Sequence, residues 1–519
     1  MSIKTDGIAP NSARLLWAGF MAIFASGIGM GLRAGVLDNW GQEYGFSGAT
    51  LGAITGAVLI GMCFGIIIGG VIVDKIGYGK LVFTAFALHV LSAFVTFGAS
   101  TSGNAEDFLF WGMFLFGLAN GVLEAVSNPL VATLFPKKRT HYLNILHASW
   151  PAGMVVGAMA GWLLDDKLQV GWKFQIALYL IPTAIYGLMF LGQKFPQSEV
   201  TERGMKLGDM FKDIGLIGAA VVGYMIALFF SQSLGLPTAF AWIVGVAIVL
   251  VVGFLTRFSF GSFLLFIFFV THILVGAVEL GTDSWITNIT GNLFTSEQGK
   301  FLFIWTSAIM FFLRFSADFI ERKMKISPIG ILLLSAVFAL IGLRLASGME
   351  TFIMAVIALG IYALGKTFFW PTMLAVVSDQ FPRTGAVAMS VMGGLGFLSA
   401  GLLGGPGLGY SKDRFAAEAL QASNPVVYEQ VQAETPSRFL WLSEVFPIQG
   451  SELETARAAA ERTPEQEVIV AASEAGDRKT LQVDSYIPLT MAAIYLILML
   501  YYRSKGGYRP VDLSATNTQ

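Results

Sequence analysis

The side chains able to do chemistry in this chain are few, and the most telling ones are embedded in apolar runs. A single cysteine, Cys63, excludes a disulfide framework and a cysteine-rich metal site. Four histidines, none in an HxH or HxxxH arrangement, form no dedicated transition-metal site. There is no glycine-rich loop ending in Gly-Lys-Ser/Thr for a nucleoside triphosphate, and no nucleophile–base cluster. No metal, no cofactor and no enzymatic activity are therefore expected. What remains is ionisable groups among apolar neighbours, each costing ~2.5–3.5 kcal/mol at the centre of a bilayer helix and kept there for function.

Glu124 is the first of these. It lies in GLANGVLEAVSNPLVATLFP, with Asn128 four residues on and so on the same helical face. Pro129 interrupts the backbone bonding beside them, which is tolerable where that face lines a cavity. A carboxyl so placed can cycle between protonated and charged forms, which makes Glu124 the expected proton-coupling residue. The following run, LNILHASWPAG, puts Asn144, His147 and Pro151 on one face with Trp150 beside them. His147 either titrates near neutral pH or hydrogen-bonds a ligand hydroxyl or a carbonyl. Further on, Glu279 and Asp283 are four residues apart in GAVELGTDSWI. In GKTFFWPTM, Lys366 precedes Trp370 by one helical turn and needs a carboxylate, a wet cavity or an anionic ligand. Asn128, Asn144, His147, Trp150, Lys366 and Trp370 form the expected substrate-binding set, its aromatic walls and neutral hydrogen-bonding groups suiting a polyhydroxylated ring.

Composition says what must position these groups. The 519 residues are 55% hydrophobic and 13% charged, with 59 glycines and 43 phenylalanines, and mean hydropathy is +0.68. Soluble domains carry roughly 25% charge, so a soluble enzyme or a disordered regulator is excluded. A net charge of −1 offers nothing to nucleic acid. About 20 apolar residues span a hydrocarbon core about 30 Å thick. Such runs fall near 14–37, 47–73, 80–99, 108–134, 142–164, 173–192, 214–231, 238–256, 258–284, 300–320, 328–346, 351–377, 385–404 and 485–502. Met1–Asn11 is short and polar with no small-residue cleavage site after it, so the first run is expected to be a retained helix.

Alternate loops are basic (Lys75 and Lys80; Lys137, Lys138 and Arg139; Arg322, Lys323 and Lys325; Arg383), whereas Ser100–Asp107 and Ser231–Thr238 carry no base. The positive-inside rule then puts both termini in the cytoplasm, in a plasma (inner) membrane. The stretch Tyr410–Asp484, with 20 of the 67 charged residues, falls outside as an acidic insert in which Glu452–Ala475 reads as a surface helix. The expected architecture is an all-α polytopic membrane protein. A six-helix half over 1–192 is followed by a cytoplasmic linker and inserted helix pair over 193–257. A second six-helix half over 258–519 carries the insert at 410–484. The inserted helices hold no charged side chain and are placed at the periphery. Gly61, Gly65 and Gly69, and again Gly153, Gly157 and Gly161, recur at the four-residue spacing of closely packed membrane helices.

After the second run the chain reads GGVIVDKIGYGK, with Gly70, Asp74, Lys75, Gly77 and Lys80 as its fixed points. Asp74 can meet the N-terminus of a neighbouring helix or a basic partner, Gly70 permits close approach, and Gly77 permits the turn. This loop resembles the cytoplasmic signature loop of the major facilitator superfamily. In the second half, Arg314 to Asp318 followed by Arg322 and Lys323 reads as a weak echo that keeps the acid and bases without the glycines. Leu123-Glu124, then Asn128-Pro129, then Leu143-Asn144 resembles the fucose–galactose–glucose:proton symporter family. The resemblance implies that Glu124 is the protonatable residue of a sugar site and that His147 and Trp150 contribute to it. The family's first-helix acid aligns near Ala34, beside Arg33, and the nearest acid here is Asp38. The superfamily's first and seventh core helices close against each other on the outside, so Arg33 is expected to pair with Glu279 or Asp283 as an outer gate, with Asp38 at the same level.

These readings converge on a secondary transporter: proton-coupled uptake of a sugar or sugar-like solute by alternating access, working as a monomer in the lipid bilayer. The alternatives are an organic-anion (acid-sugar) transporter using Arg33, His147 and Lys366, and a non-transporting membrane sensor on the same fold.

Overall fold

The computed structural model describes residues 7–46, 48–100 and 103–512. Helices occupy each of the fourteen expected segments: α1 (Ser12–Gly35), α2 (Gly48–Ile76), α3 (Tyr78–Phe97), α4 (Ala105–Leu134), α5 (Arg139–Trp162), α6 (Trp172–Phe190), α7 (Gly215–Ser233), α8 (Thr238–Thr256), α9 (Phe263–Leu293), α10 (Ser296–Arg314), α11 (Pro328–Ala346), α12 (Phe352–Gln380), α13 (Ala386–Ser423) and α14 (Pro464–Ser504). Twelve are long and apolar enough to cross a membrane. The other two, α5 and α10, are diluted by polar residues such as Asn144 and His147 in one and Gln298 and Arg314 in the other. These two pack on each other, so their polarity faces protein and not lipid.

Glycine lets the backbones touch. A Cβ on Gly61 or Gly65 of α2 would lie 2.1 or 2.3 Å from a carbonyl oxygen of α4, and one on Gly153 of α5 would lie 2.4 Å from Phe24 O of α1. In the second half Gly276 of α9 meets Gly396 of α13 in the same way. These contacts bury the backbone and bring the polar faces of α4, α5, α9 and α12 inward. The inserted pair α7 and α8 packs on itself through Gly223 and Gly245, and α7 rests on α9 and α13. Helix α8 is the most exposed of the twelve apolar spans, consistent with a peripheral pair.

The acidic insert is ordered. Helices α13 and α14 continue beyond the apolar core as a packed pair. The short helices Pro425–Val431 and Gly450–Ala458 bury Leu420, Val427, Val431, Ala456, Ile469 and Val470 against them. The surface helix expected over Glu452–Ala475 is two helices, because Thr463 caps a new start at Pro464 by a reciprocal bond with Gln466. Three polar contacts tie the insert to the end of α9: Thr282 to Asp484 (2.7 Å), Lys412 to Asn288 (2.8 Å) and Asn292 to Asp477 (3.1 Å).

Candidate functional site

The two halves are bolted together at the face that carries the basic loops. The Asp74 carboxylate accepts from Ser198 Oγ (2.5 Å) and from Ala386 N (3.1 Å), the first residue of α13 and so the positive end of that helix. A Cβ on Gly70 would lie 2.1 Å from Ser390 of α13. Gly77 turns the chain at φ 90°, and Lys75 and Lys80 are exposed. Arg139 pairs with Asp379 (2.9 Å), Lys138 with Asp318 (3.8 Å), and Arg322 donates to Lys137 O (3.2 Å).

Deeper in the interface lies a cluster contributed by both halves. Asn128 Nδ2 donates to Glu124 Oε2 (2.7 Å), and His147 Nε2 donates to Asn128 Oδ1 (2.9 Å). The carboxylate fixes the amide orientation, and the amide fixes the tautomer of His147. His147 Nε2 is also 3.8 Å from Glu124 Oε2. Asn144 Nδ2 donates to Thr140 O (2.8 Å) and reaches across to Thr372 Oγ1 (3.3 Å). Trp150 is half-buried, and its carbonyl packs over Gly27 of α1.

From the other half, Arg314 enters at the end of α10, wholly buried. Its Nη2 donates to Glu279 Oε1 (3.1 Å), its Nε to Thr367 O (2.9 Å), and its Nη1 to His147 O. Both carbonyls are ones that a proline has freed, since Pro151 and Pro371 lack the N–H that would bond four residues back. One guanidinium thus satisfies a broken turn in each half. Glu279 sits on a widened π-turn, Ala277–Gly281, packed against a like turn of α13 at Ala400–Gly404. Its second oxygen accepts from Trp370 N (3.2 Å), just past the interruption of α12 at Thr367–Phe368. Lys366, 0% exposed, donates to both oxygens of Asp283 (2.5 and 2.6 Å).

Two expectations change. Arg33 pairs with neither Glu279 nor Asp283. It is buried inside its own half, with Nη1 donating to Gly29 O (3.3 Å) and its guanidinium over Phe116 (3.9 Å) and Tyr179 (4.5 Å). The two acids are committed to Arg314 and Lys366, so the expected outer-gate pair is not formed here. The side chain of Asp38 lies outside the described residues. Arg314, read as part of a loop echo, belongs to the central cluster, and Pro151 and Pro371 are the sequence signals that a buried donor was required. A second unforeseen residue is His272 of α9, 0% exposed, its ring 4.7 Å from that of Trp370.

A family model described as Major Facilitator Superfamily matches residues 19–405. The inner membrane metabolite transport protein YgcS of Escherichia coli K12 is 28% identical over 142 residues, 27% of this chain and 31% of that protein. The 4-hydroxybenzoate transporter PcaK of Pseudomonas aeruginosa is 25% identical over 178 residues, 34% of this chain and 38% of that one. The chain therefore aligns with about a third of the length of these curated relatives. Among solved structures, the human organic anion transporter MFSD10 superposes with a TM-score of 0.57 at 12% identity, over 94% of this chain and 100% of that chain. An E. coli fucose:proton symporter, FucP, gives 0.52 at 16% identity, over 90% and 98%. The proton:xylose symporter XylE gives 0.53 at 14%, over 75% and 86%. At such identities these likenesses speak to the fold alone.

Proposed function

Since the chain belongs to the major facilitator superfamily and is an integral membrane transporter, not an enzyme, we propose that it couples uptake of a neutral polyhydroxylated solute, such as a sugar, to protons by alternating access. The carrying observation is the charge balance of the central cluster. Three carboxylates, Glu124, Glu279 and Asp283, face two committed cations, Arg314 on Glu279 and Lys366 on Asp283. Glu124 is the acid left with neutral hydrogen-bonding neighbours, so a proton is the ion that balances it. In this reading Asn128, Asn144, His147, Trp150 and Trp370 bind the solute. The halves 1–192 and 258–519 rock about them, the pair within 193–257 packs at the edge, and the basic face is cytoplasmic with both termini, in a plasma membrane. The bolts at Asp74 and Asp379 favour a conformation closed on that side.

An anionic cargo is supported less well, because Lys366 and Arg314 already hold carboxylates and Arg33 is turned into its own half. The test is uptake into proteoliposomes of a labelled panel, neutral hexoses beside uronic acids, with and without an inward proton gradient. Wild type should concentrate a neutral sugar when the gradient is present. Glu124→Gln should abolish gradient-driven uptake and retain exchange. Uptake of uronic acids alone would overturn the neutral-solute reading, and no flux from folded protein would leave a sensor.

A further inference from the structure

We propose that His272 is a hydrogen-bonding subsite on the C-terminal half for a hydroxyl of the transported solute. The proposal rests on the neutral-solute reading above and adds a residue to it. His272 lies seven residues before Glu279 on α9, so both belong to one stripe of that helix. Between them, at Gly276, the α9 backbone touches α13: a Cβ there would lie 2.1 Å from Gly396 O. The imidazole is 0% exposed, and neither Nδ1 nor Nε2 has a hydrogen-bond partner among the described residues.

The other two buried histidines differ. His89 uses both nitrogens, on Tyr186 Oη (3.0 Å) and Asn120 Oδ1 (2.8 Å). His147 is engaged with Asn128 (2.9 Å). A buried polar group left unpaired costs ~1–3 kcal/mol, and a phenylalanine would pack here without that penalty. The imidazole therefore points to a partner that the described residues do not supply.

Its surroundings indicate the chemistry of that partner. The Trp370 ring lies 4.7 Å from the imidazole at 58°, and Phe397 lies 4.8 Å from Trp370. Aromatic faces beside a single polar group suit a ligand with apolar C–H faces and hydroxyl edges. A neutral imidazole has one N–H donor and one bare acceptor nitrogen on diverging edges, and a hydroxyl, which both donates and accepts, can meet either of them. A carboxylate, which only accepts, can meet the N–H alone, so a ligand with several hydroxyls is the better match for both edges. Trp370 follows the interruption of α12 at Thr367–Phe368, and its backbone N–H holds Glu279. Filling this subsite would be felt directly at the Glu279–Arg314 pair.

The experiment compares wild type, His272→Phe and His272→Gln in proteoliposome counterflow. The probes are the neutral hexose that wild type exchanges best and its single-deoxy derivatives. Wild type should exchange one deoxy derivative at least tenfold less well than the parent, because a site built around a hydroxyl rejects the analogue lacking it. His272→Phe keeps the aromatic packing and should unfold at the wild-type temperature or above. It should exchange the parent about tenfold less well, with no further loss on that one deoxy derivative and unchanged penalties at the other positions. His272→Gln, which keeps a donor and an acceptor, should recover part of the discrimination. Sugar exchange with an unaltered deoxy pattern in both variants overturns the subsite and leaves the transport reading standing. Wild-type protein that exchanges no neutral sugar overturns both.

Discussion

Each half of this protein buries an arginine, and the two are treated in opposite ways. Arg314 in the C-terminal half donates from three nitrogens, to a carboxylate and to two carbonyls that prolines had left bare. Arg33 in the N-terminal half lies between the rings of Phe116 and Tyr179, with Nε and Nη2 lacking a hydrogen-bond partner among the described residues. Two cation–π contacts return roughly 0.5–2 kcal/mol each, against a desolvation penalty of several kcal/mol. The difference separates a charge the fold depends on from a charge the fold tolerates. Arg314 ties the halves together by completing what Pro151 and Pro371 break, whereas removing Arg33 strands no anion.

The sharpest way to break this comparison is Arg314→Met. It leaves Glu279 buried without a counter-ion, and should cost ~3–5 kcal/mol. The expected result is a large fall in unfolding temperature in detergent and loss of counterflow. Arg314→Lys should recover only part, because an ammonium cannot serve a carboxylate and two separate carbonyls as a fork does. Next comes the Lys366–Asp283 pair, whose acid is 21% exposed and so better hydrated. Lys366→Met and Asp283→Asn should each destabilise, and the double variant should regain much of the loss. Thermal unfolding should give a coupling energy of ~1–3 kcal/mol. The smallest effect, and opposite in sign, is expected at Arg33→Leu: stability unchanged or raised by ~1 kcal/mol, since an unpaired buried charge is removed. A fall as large as that of Arg314→Met would show that Arg33 has a counter-ion, and the contrast between the halves would collapse.

Much of this was legible in the amino-acid order. Helical spacing alone put Glu124 and Asn128 on one face, and their side chains do bond. Of the glycine repeats, Gly61 and Gly65 of α2 and Gly153 and Gly157 of α5 do lie against the backbone of a neighbouring helix. Asp74 meets the start of a helix, as a carboxylate closing α2 can. Partner choice across the bundle was not legible. Spacing along α9 shows that Glu279 and Asp283 share a face, but not which of Arg33, Arg314 and Lys366 meets them, because that depends on how α9, α10 and α12 rotate against one another. The sequence of α10 also conceals Arg314, whose neighbours Asp318, Arg322 and Lys323 look like an ordinary basic loop. His272 carries little local signal: it stands beside Thr271 in the otherwise apolar FLLFIFFVTHILVG, and its significance comes from α12 and α13.

The helices of the insert have a mechanical consequence. Helix α13 runs 38 residues, about 57 Å at 1.5 Å per residue, of which a hydrocarbon core accounts for about 30 Å. With α14 beside it and α9 pinned to both, the excess stands beyond the bilayer as a pointer fixed to one half of the molecule. If that half tilts by about 10°, a mark roughly 40 Å from the pivot along such a helix sweeps about 7 Å. A conformational step too slight to resolve among the side chains of the central cluster would be magnified at Leu420 or Val427 into a displacement that a pair of probes can time.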